Sequence, residues 1–515
     1  MSSSKTIVQN TLFLYIRMMF IMLVALYTSR VVLQILGVND YGIYQTVGGV
    51  VLLLSFLNGA LSAGSSRFLT YELGRGDFDK LQKTFSTVLT IHIVLAALIL
   101  VVAETVGLWF VYNKLVIDPQ RIGAAVFAYH LSILTAMITI TQIPYNASII
   151  SHERMSIYAW LGIIEVSLKL GIVYLLTISD WDKLKVYALL LCIVQVSIAL
   201  FYRCYCIRHF EETRYRWNFD KTIMKQVLEY SGWNTFANMS AAFTTQGAVI
   251  LINMFFTPAV VTARAIADQV NMAANQFVQN FRTAVNPQIV KLYAAEDYEA
   301  SKQLLLSSTK YSYYMMLILC MPICLSAEPL LKLWLGTVPE YTVIFLQIAV
   351  VTSLFQVFDS CFYTALYAKG QIRENALISP TVLFLAFPIV YILFRLGCSP
   401  ESLAWVLLCC YATLGLIVKP ILLVKIVGYK KREIVRVFIP CLKVTLVAVP
   451  IPYLLYCYRD MLFSNGFMHL LLLSLSCVIC ILLSVWYIGL DSEVRRKVVQ
   501  TVKSRLLRLR TNRYV

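Results

Sequence analysis

Long apolar runs, broken by short polar segments, dominate the chain. The first extends from Thr11 to Leu36, and comparable runs recur to about residue 490. About 20 apolar residues cross the ~30 Å hydrocarbon core as a helix, and backbone polar groups in lipid must be satisfied within the segment. The pattern therefore predicts an all-α polytopic membrane protein of about 14 transmembrane helices. The expected spans lie near 11–36, 41–66, 84–112, 122–150, 156–178, 186–206, 226–255, 258–288, 309–328, 341–367, 374–395, 402–427, 435–458 and 466–490. The eighth is unusually polar, which leaves twelve or thirteen as the alternative count. The first run is too long for a signal-peptide core and no small-residue cleavage site follows it, so it is expected to be a retained span.

Composition narrows the class further. Hydrophobic residues make up 59% and charged residues 14%, with mean hydropathy +0.73, against about 45–50% and 25% in soluble domains. A soluble enzyme, a disulfide scaffold and a disordered regulator are excluded. The formal charge of +17 would suggest nucleic acid in a soluble protein, but here position decides. One set of loops, with both termini, contains 30 Lys and Arg and the opposite set contains seven. Positive residues stay cytoplasmic, so both termini are expected there and no nucleic-acid partner is implied. The 13 Cys fall mostly in apolar runs and the five His are scattered, so no metal site is expected. No Walker A loop, GxSxG elbow or HExxH occurs, which argues against a catalytic residue, a bound cofactor or an enzyme.

Self-comparison reveals a repeat. Gly76-Asp77-Phe78 after the second span meets Glu296-Asp297-Tyr298 after the eighth, offset by 220. Tyr145-Asn146-Ala147 has a counterpart in Tyr363-Thr364-Ala365, offset by 218. This predicts two six-helix lobes in parallel pseudo-repeat, 1–220 and 221–430, followed by two extra helices over 431–490. In 491–515, Val494, Val498, Val502, Leu506 and Leu509 recur three or four apart among eight Lys and Arg. That spacing reads as a basic amphipathic helix on the cytoplasmic leaflet or as a solvated orientation signal.

Charges inside spans cost a few kcal/mol each, about 2.5–3.5 on insertion scales, and so call for a reason. The cations are Arg17, Arg30, Lys169, Arg264, Arg282, Lys419 and Lys443; the acids are Glu104, Glu165, Asp268 and Asp359. The positive excess suits an anion. In the eighth span Arg264, Asp268, Asn271, Asn275, Gln279, Arg282 and Asn286 follow at spacings of three or four, forming one helix stripe that lipid cannot face. It lines either a cavity or a hydrogen-bonded helix seam. Asn234 on the seventh span and Asn58 on the second add polar groups that favour a cavity. Arg17 and Arg30 line it or snorkel to the interfaces. Arg264 with Asp268, and Glu165 with Lys169, sit one turn apart and are either structural pairs or functional acids. Asp359 has no partner nearby in the sequence. Lys419-Pro420 reads as a cation beside a helix kink. Asp268, Asp359 and Glu165 are the candidates for Na⁺ or H⁺ coupling.

Several elements carry a family resemblance: Ser29-Arg30, then Leu36-Gly37-Val38-Asn39-Asp40-Tyr41-Gly42-Ile43-Tyr44, Ser65-Ser66-Arg67-Phe68, Gly74-Arg75-Gly76-Asp77 and Pro144. The chain resembles the multidrug/oligosaccharidyl-lipid/polysaccharide (MOP) exporter superfamily, in its polysaccharide branch of Wzx-type O-unit flippases. The resemblance implies a carrier in the bacterial inner membrane that moves a polyprenyl-pyrophosphate-linked oligosaccharide, an O-antigen or capsule unit, to the outer leaflet by alternating access. Taken with the polar stripe and the in-span cations, it predicts a cavity of Arg17, Arg30, Asn58, Asn234, Asn271, Asn275, Gln279 and Arg282, with Arg30 and Arg282 on phosphate. The partners expected with it are membrane lipids, the lipid-linked substrate and a polysaccharide polymerase, around a monomeric carrier. The alternatives are a cation-coupled multidrug exporter, weakened by a first span with two Arg and no acid, and a peptidoglycan-precursor flippase.

Overall fold

The computed structural model describes residues 2–500 except 54–55, 153, 217–219, 372, 459–465, 493 and 497–499. Among these the chain is helical, with no strand. The helices are α1 (Ser2–Leu53), α2 (Phe56–Arg75), α3 (Phe78–Val102), α4 (Leu108–Lys114), α5 (Ile122–Ser151), α6 (Met155–Ile178), α7 (Lys183–His209), α8 (Lys221–Ala242), α9 (Ala248–Phe255) and α10 (Pro258–Ala294). Then come α11 (Tyr298–Leu325), α12 (Ala327–Leu335), α13 (Thr342–Lys369), α14 (Arg373–Arg395), α15 (Ser402–Thr413), α16 (Lys419–Leu422), α17 (Lys431–Ala448), α18 (Pro450–Cys457) and α19 (Gly466–Ser484).

Ten helical stretches among the described residues are long and apolar enough to cross a membrane, eleven if α11 and α12, bent by 78°, form one span. The chain is a multi-pass membrane protein. Its outer surface agrees: Val94, Leu98, Leu446 and Leu475 are exposed, apolar area that lipid can cover. Helices α2, α8 and α10 are not among the apolar ten, and α10 is where the polar stripe lies.

The two turns matched at an offset of 220 share one local geometry. Asp77 caps α3 by accepting from the Lys80 N–H at 3.1 Å, and Asp297 caps α11 by accepting from the Ala300 N–H at 3.0 Å. Each cap satisfies one of the helix's unpaired N–H groups, worth about 0.5–2 kcal/mol. The residue before each cap has positive φ, 70° at Gly76 and 62° at Glu296. The same turn is thus built twice, 220 residues apart.

Two compact units emerge. The first gathers the described chain up to Val270 with Thr337–Phe345 and Ala376–Cys410. Within it α5 packs on α1, α2, α3 and α7, burying Tyr129, Ile133 and Ile140 with Phe85 of α3. Helical geometry in α1 breaks at Gly37 (φ 76°, ψ 169°), a conformation that a side chain resists. Just beyond, a Cβ on Gly42 would overlap the Pro258 carbonyl oxygen, so the start of α10 rests directly on α1. Thr262 of α10 then donates to the Val38 carbonyl at 2.6 Å. The second unit gathers Asn271–Gly336, Leu346–Asn375 and the described residues from Tyr411 onward. There α11, α17 and α19 pack on one another, and Tyr313 bonds Thr445 at 2.9 Å.

Candidate functional site

The polar stripe of α10 is engaged by α13 in the second unit. Asn275 donates to the Ser353 hydroxyl at 2.8 Å, and Ser353 donates to Asn271 Oδ1 at 2.7 Å. Further along, Arg282 donates to Gln279 Oε1 at 3.2 Å and to the Ser360 carbonyl. Thr364 then donates to Asn286 Oδ1 at 3.4 Å. The pairs 275–353, 282–360 and 286–364 share one offset in sequence, 78, which only two helices running in the same direction can keep. The hydrogen-bonded seam is therefore real over this stretch. It does not exhaust the stripe: Gln279 is exposed. Arg282 is 9% exposed, and its Nε has no hydrogen-bond partner among the described residues. Among the described residues no acid forms an ion pair with it, and a guanidinium with a spare N–H has the chemistry to donate to an anion.

In the first unit Arg264 grips Asp268 from one turn away, Nε to Oδ2 and Nη2 to Oδ1, both at 2.9 Å. Its guanidinium also lies over the Phe345 ring at 5.8 Å. Glu165 and Lys169 pair on α6 at 2.6 Å. Arg30 on α1 is partly buried and has no ion pair among the described residues. The side chains of Arg17, Asn58 and Asn234 lie outside the described residues.

Asp359 does have a partner, far along the chain on α16. Lys419 Nζ lies 3.2 Å from Asp359 Oδ1, donates to Asn375 Oδ1 and sits 5.4 Å from the Tyr363 ring centre. The contact to Asp359 is an ion pair off the hydrogen-bonding axis, because that oxygen has no hydrogen-bond partner in good geometry. Two π turns, Leu414–Val418 and Leu423–Val427, flank Lys419. A Cβ on Gly415 would lie 2.6 Å from the Phe355 carbonyl oxygen, so the helix is drawn close to α13 and the ammonium is carried to the acid.

The Leu-Gly-x-x-Asp-Tyr-Gly element has a separate task at the start of α5. Arg121 binds Asp40 with Nε at 2.9 Å and binds Asp182 with Nη1 at 2.6 Å, tying α1, α5 and α7. Hydrogen bonding to Asp182 pushes the guanidinium further up, ahead of the opposing effect of burial. Burial alone would raise the Asp182 carboxyl. Hydrogen bonds from Arg121 and from the Lys185 N–H outweigh it and hold the group below the usual carboxylate range.

Sequence reasoning misses Ser353, Ser360 and Thr364, although their intervals of seven and four repeat those of Asn275, Arg282 and Asn286. A shallow apolar cleft in the first unit, lined by Phe243, Leu251, Phe387 and Leu403, carries no charge and lacks the polar chemistry of the stripe.

A family model described as "Polysaccharide biosynthesis protein" matches residues 31–343. No curated protein matches the chain. Among solved structures, an inward-facing multidrug resistance MATE transporter of the MOP superfamily aligns with TM-score 0.67 at 12% identity, covering 76% of this chain and 92% of that one. The lipid II flippase MurJ in an inward closed conformation aligns with TM-score 0.68 at 12% identity, covering 95% and 99%. A MOP superfamily transporter from Pyrococcus furiosus aligns with TM-score 0.55 at 14% identity, covering 84% and 95%. At these identities the likeness establishes the fold.

Proposed function

The chain belongs to the family described as polysaccharide biosynthesis protein, and from that premise we propose that it is a carrier of the MOP superfamily that flips a polyprenyl-pyrophosphate-linked oligosaccharide, an O-antigen or capsule repeat unit. The load moves from the cytoplasmic to the outer leaflet of a bacterial inner membrane, with both chain termini in the cytoplasm. The observation that carries this reading is Arg282, buried on a polar helix with a guanidinium donor to spare and no carboxylate paired to it among the described residues. A pyrophosphate provides the acceptors that such a group lacks. Arg30 is its proposed companion, and Asn271, Asn275 and Gln279 offer neutral donors and acceptors for sugar hydroxyls. Residues 1–220 and 221–430 are the proposed rocking lobes of an alternating-access cycle. The carrier acts as a monomer and hands its glycan to a polymerase.

Coupling to Na⁺ or H⁺ is assigned to Asp268 or Asp359, with Glu165 third. Each already neutralises a cation of its own unit, so a coupling ion would act by loosening that pair. Unchanged gradient dependence in Asp268→Asn and Asp359→Asn proteins would remove both from the role.

The test is leaflet transfer in proteoliposomes, with a lipid-pyrophosphate oligosaccharide, lipid II and a lipophilic cationic dye compared side by side. Transfer of the oligosaccharide lipid, lost in Arg30→Ala and Arg282→Ala, is the expected result. Transfer of the dye alone would make the chain a drug exporter, and transfer of lipid II alone a peptidoglycan-precursor flippase. Full transfer by both Arg variants would overturn the phosphate assignment.

A further inference from the structure

The two halves of the repeat place a cation against the same tyrosine. In the second half, Lys419 lies 5.4 Å from the ring of Tyr363 and 3.2 Å from Asp359, one turn before it. In the first half, the Arg203 guanidinium lies 5.9 Å from the ring of Tyr145 and donates to Thr141, one turn before it, at 2.6 Å. Tyr363 is offset from Tyr145 by 218, and Asp359 from Thr141 by the same amount; the two cations are offset by 216. The tyrosine and the position one turn before it thus recur around both cations, with the acid of one half a threonine in the other; Lys419 has in addition the Asn375 amide oxygen.

That exchange changes the charge balance. Lys419 meets a carboxylate within its own unit. Arg203 meets a neutral hydroxyl, is in no ion pair among the described residues, and its buried Nε has no hydrogen-bond partner there. The Thr141 hydroxyl already donates to the Met137 carbonyl at 3.0 Å, so it cannot offset the charge. Gln142 and Asn146 bond each other at 3.3 Å on the same stretch of α5, and they too are neutral. A half-buried guanidinium in a membrane protein is costly without an anion.

We infer that Arg203, with Thr141 and Tyr145, forms a second anion site that takes a phosphoryl oxyanion from a membrane lipid, in the place that Asp359 fills internally in the other half. Depth decides the chemistry. Arg203 and Tyr145 each lie six residues from the helix end, about 9 Å along the axis. The ends are those of α7 and α5, and the chain beyond Arg203 contains Arg208, Arg214 and Arg216. This is headgroup level on the positively charged side, where phosphate esters lie. The guanidinium binds phosphate through directed N–H donors rather than as a point charge. The site rests on the flippase reading only for the source of its anion, the pyrophosphate of an incoming substrate or the headgroup of a bulk phospholipid.

Binding of labelled farnesyl pyrophosphate to the full chain in phosphatidylcholine nanodiscs tests this, with phosphatidylglycerol added as competitor. Arg203→Ala should weaken binding at least tenfold, about 1.4 kcal/mol, and Arg203→Lys should weaken it less. T141D should weaken it as strongly while leaving the thermal midpoint unchanged or raised, because it copies the Lys419–Asp359 pair. Displacement by phosphatidylglycerol that depends on Arg203 would identify bulk lipid as the occupant, and resistance to it would identify the pyrophosphate. Equal binding by the parent, Arg203→Ala and T141D would overturn the site. Leaflet transfer with Arg203-independent binding would overturn this site alone. Arg203-dependent binding in a chain that transfers no glycolipid would overturn the flippase reading alone.

Discussion

Lys419, 2% exposed, holds its ammonium 3.2 Å from Asp359 and is the most deeply buried lysine among the described residues. Its charge is supported by one carboxylate, one amide oxygen and one aromatic face. Removing the acid alone leaves a buried cation uncompensated, which costs about 3–5 kcal/mol. Asp359→Asn should therefore lower the thermal midpoint markedly, and adding Lys419→Met should restore most of it. Equal midpoints for Asp359→Asn and the parent would show that the pair contributes nothing to folding.

The contact between Gly42 and Pro258 sets a steric limit. A methyl group there would run into a backbone oxygen, and neither helix can yield without disturbing the Thr262 bond to Val38. Gly42→Ala should cost about 1–3 kcal/mol through overpacking. Gly48→Ala, on the same helix with open space around it, should be neutral or slightly stabilising through helix propensity. Chemical denaturation of the two variants side by side checks the difference.

Glu296 adopts φ 62° where its counterpart in the repeat is glycine. The left-handed region costs a residue with a Cβ about 1–2 kcal/mol. Glu296→Gly should raise stability by about 1 kcal/mol. Asp297→Ala, which removes the adjoining cap, should lower it by about as much. Thermal midpoints in detergent report both signs.

Acid should loosen the Arg121 cluster. The Asp182 carboxyl is held low, so its contribution is complete above the usual carboxylate pKa of about 4 and is lost as pH falls through the lower folded value. Asp182→Asn should cost about 1–2 kcal/mol at neutral pH and flatten the acid limb of the stability profile. An unchanged acid limb would assign acid sensitivity to other carboxylates.

Features set by spacing along one segment are legible in the sequence. The paired turns at Asp77 and Asp297, the α10 stripe and the Arg264–Asp268 pair all follow from offsets of three, four or 220. The all-helical membrane class follows from composition. Pairing across long separations is not legible. Ser353, Ser360 and Thr364 lie in an apolar helix, where small hydroxyls bond their own backbone as readily as a neighbour. Lys419 reads as a companion of Pro420 until the helix, drawn in at Gly415, places it beside Asp359. Arg203 lies at the end of the expected span 186–206, and nothing along that segment announces that it meets Thr141 and Tyr145 of α5. The sequence marks Arg30 and Arg282, and the structure adds an unpaired donor for Arg282 alone.

The ladder between α10 and α13 has a mechanical consequence. Each bond in a membrane interior contributes only about 0.6 kcal/mol on average, yet Asn275, Arg282 and Asn286 keep one register with Ser353, Ser360 and Thr364. Sliding either helix by a turn takes the pairs 275–353, 282–360 and 286–364 out of register together. The two helices are therefore geared as one stiff strut: tilting is easy, telescoping is not. Any axial displacement of Arg282 carries Asp359, on the same helix as Ser360, along with it.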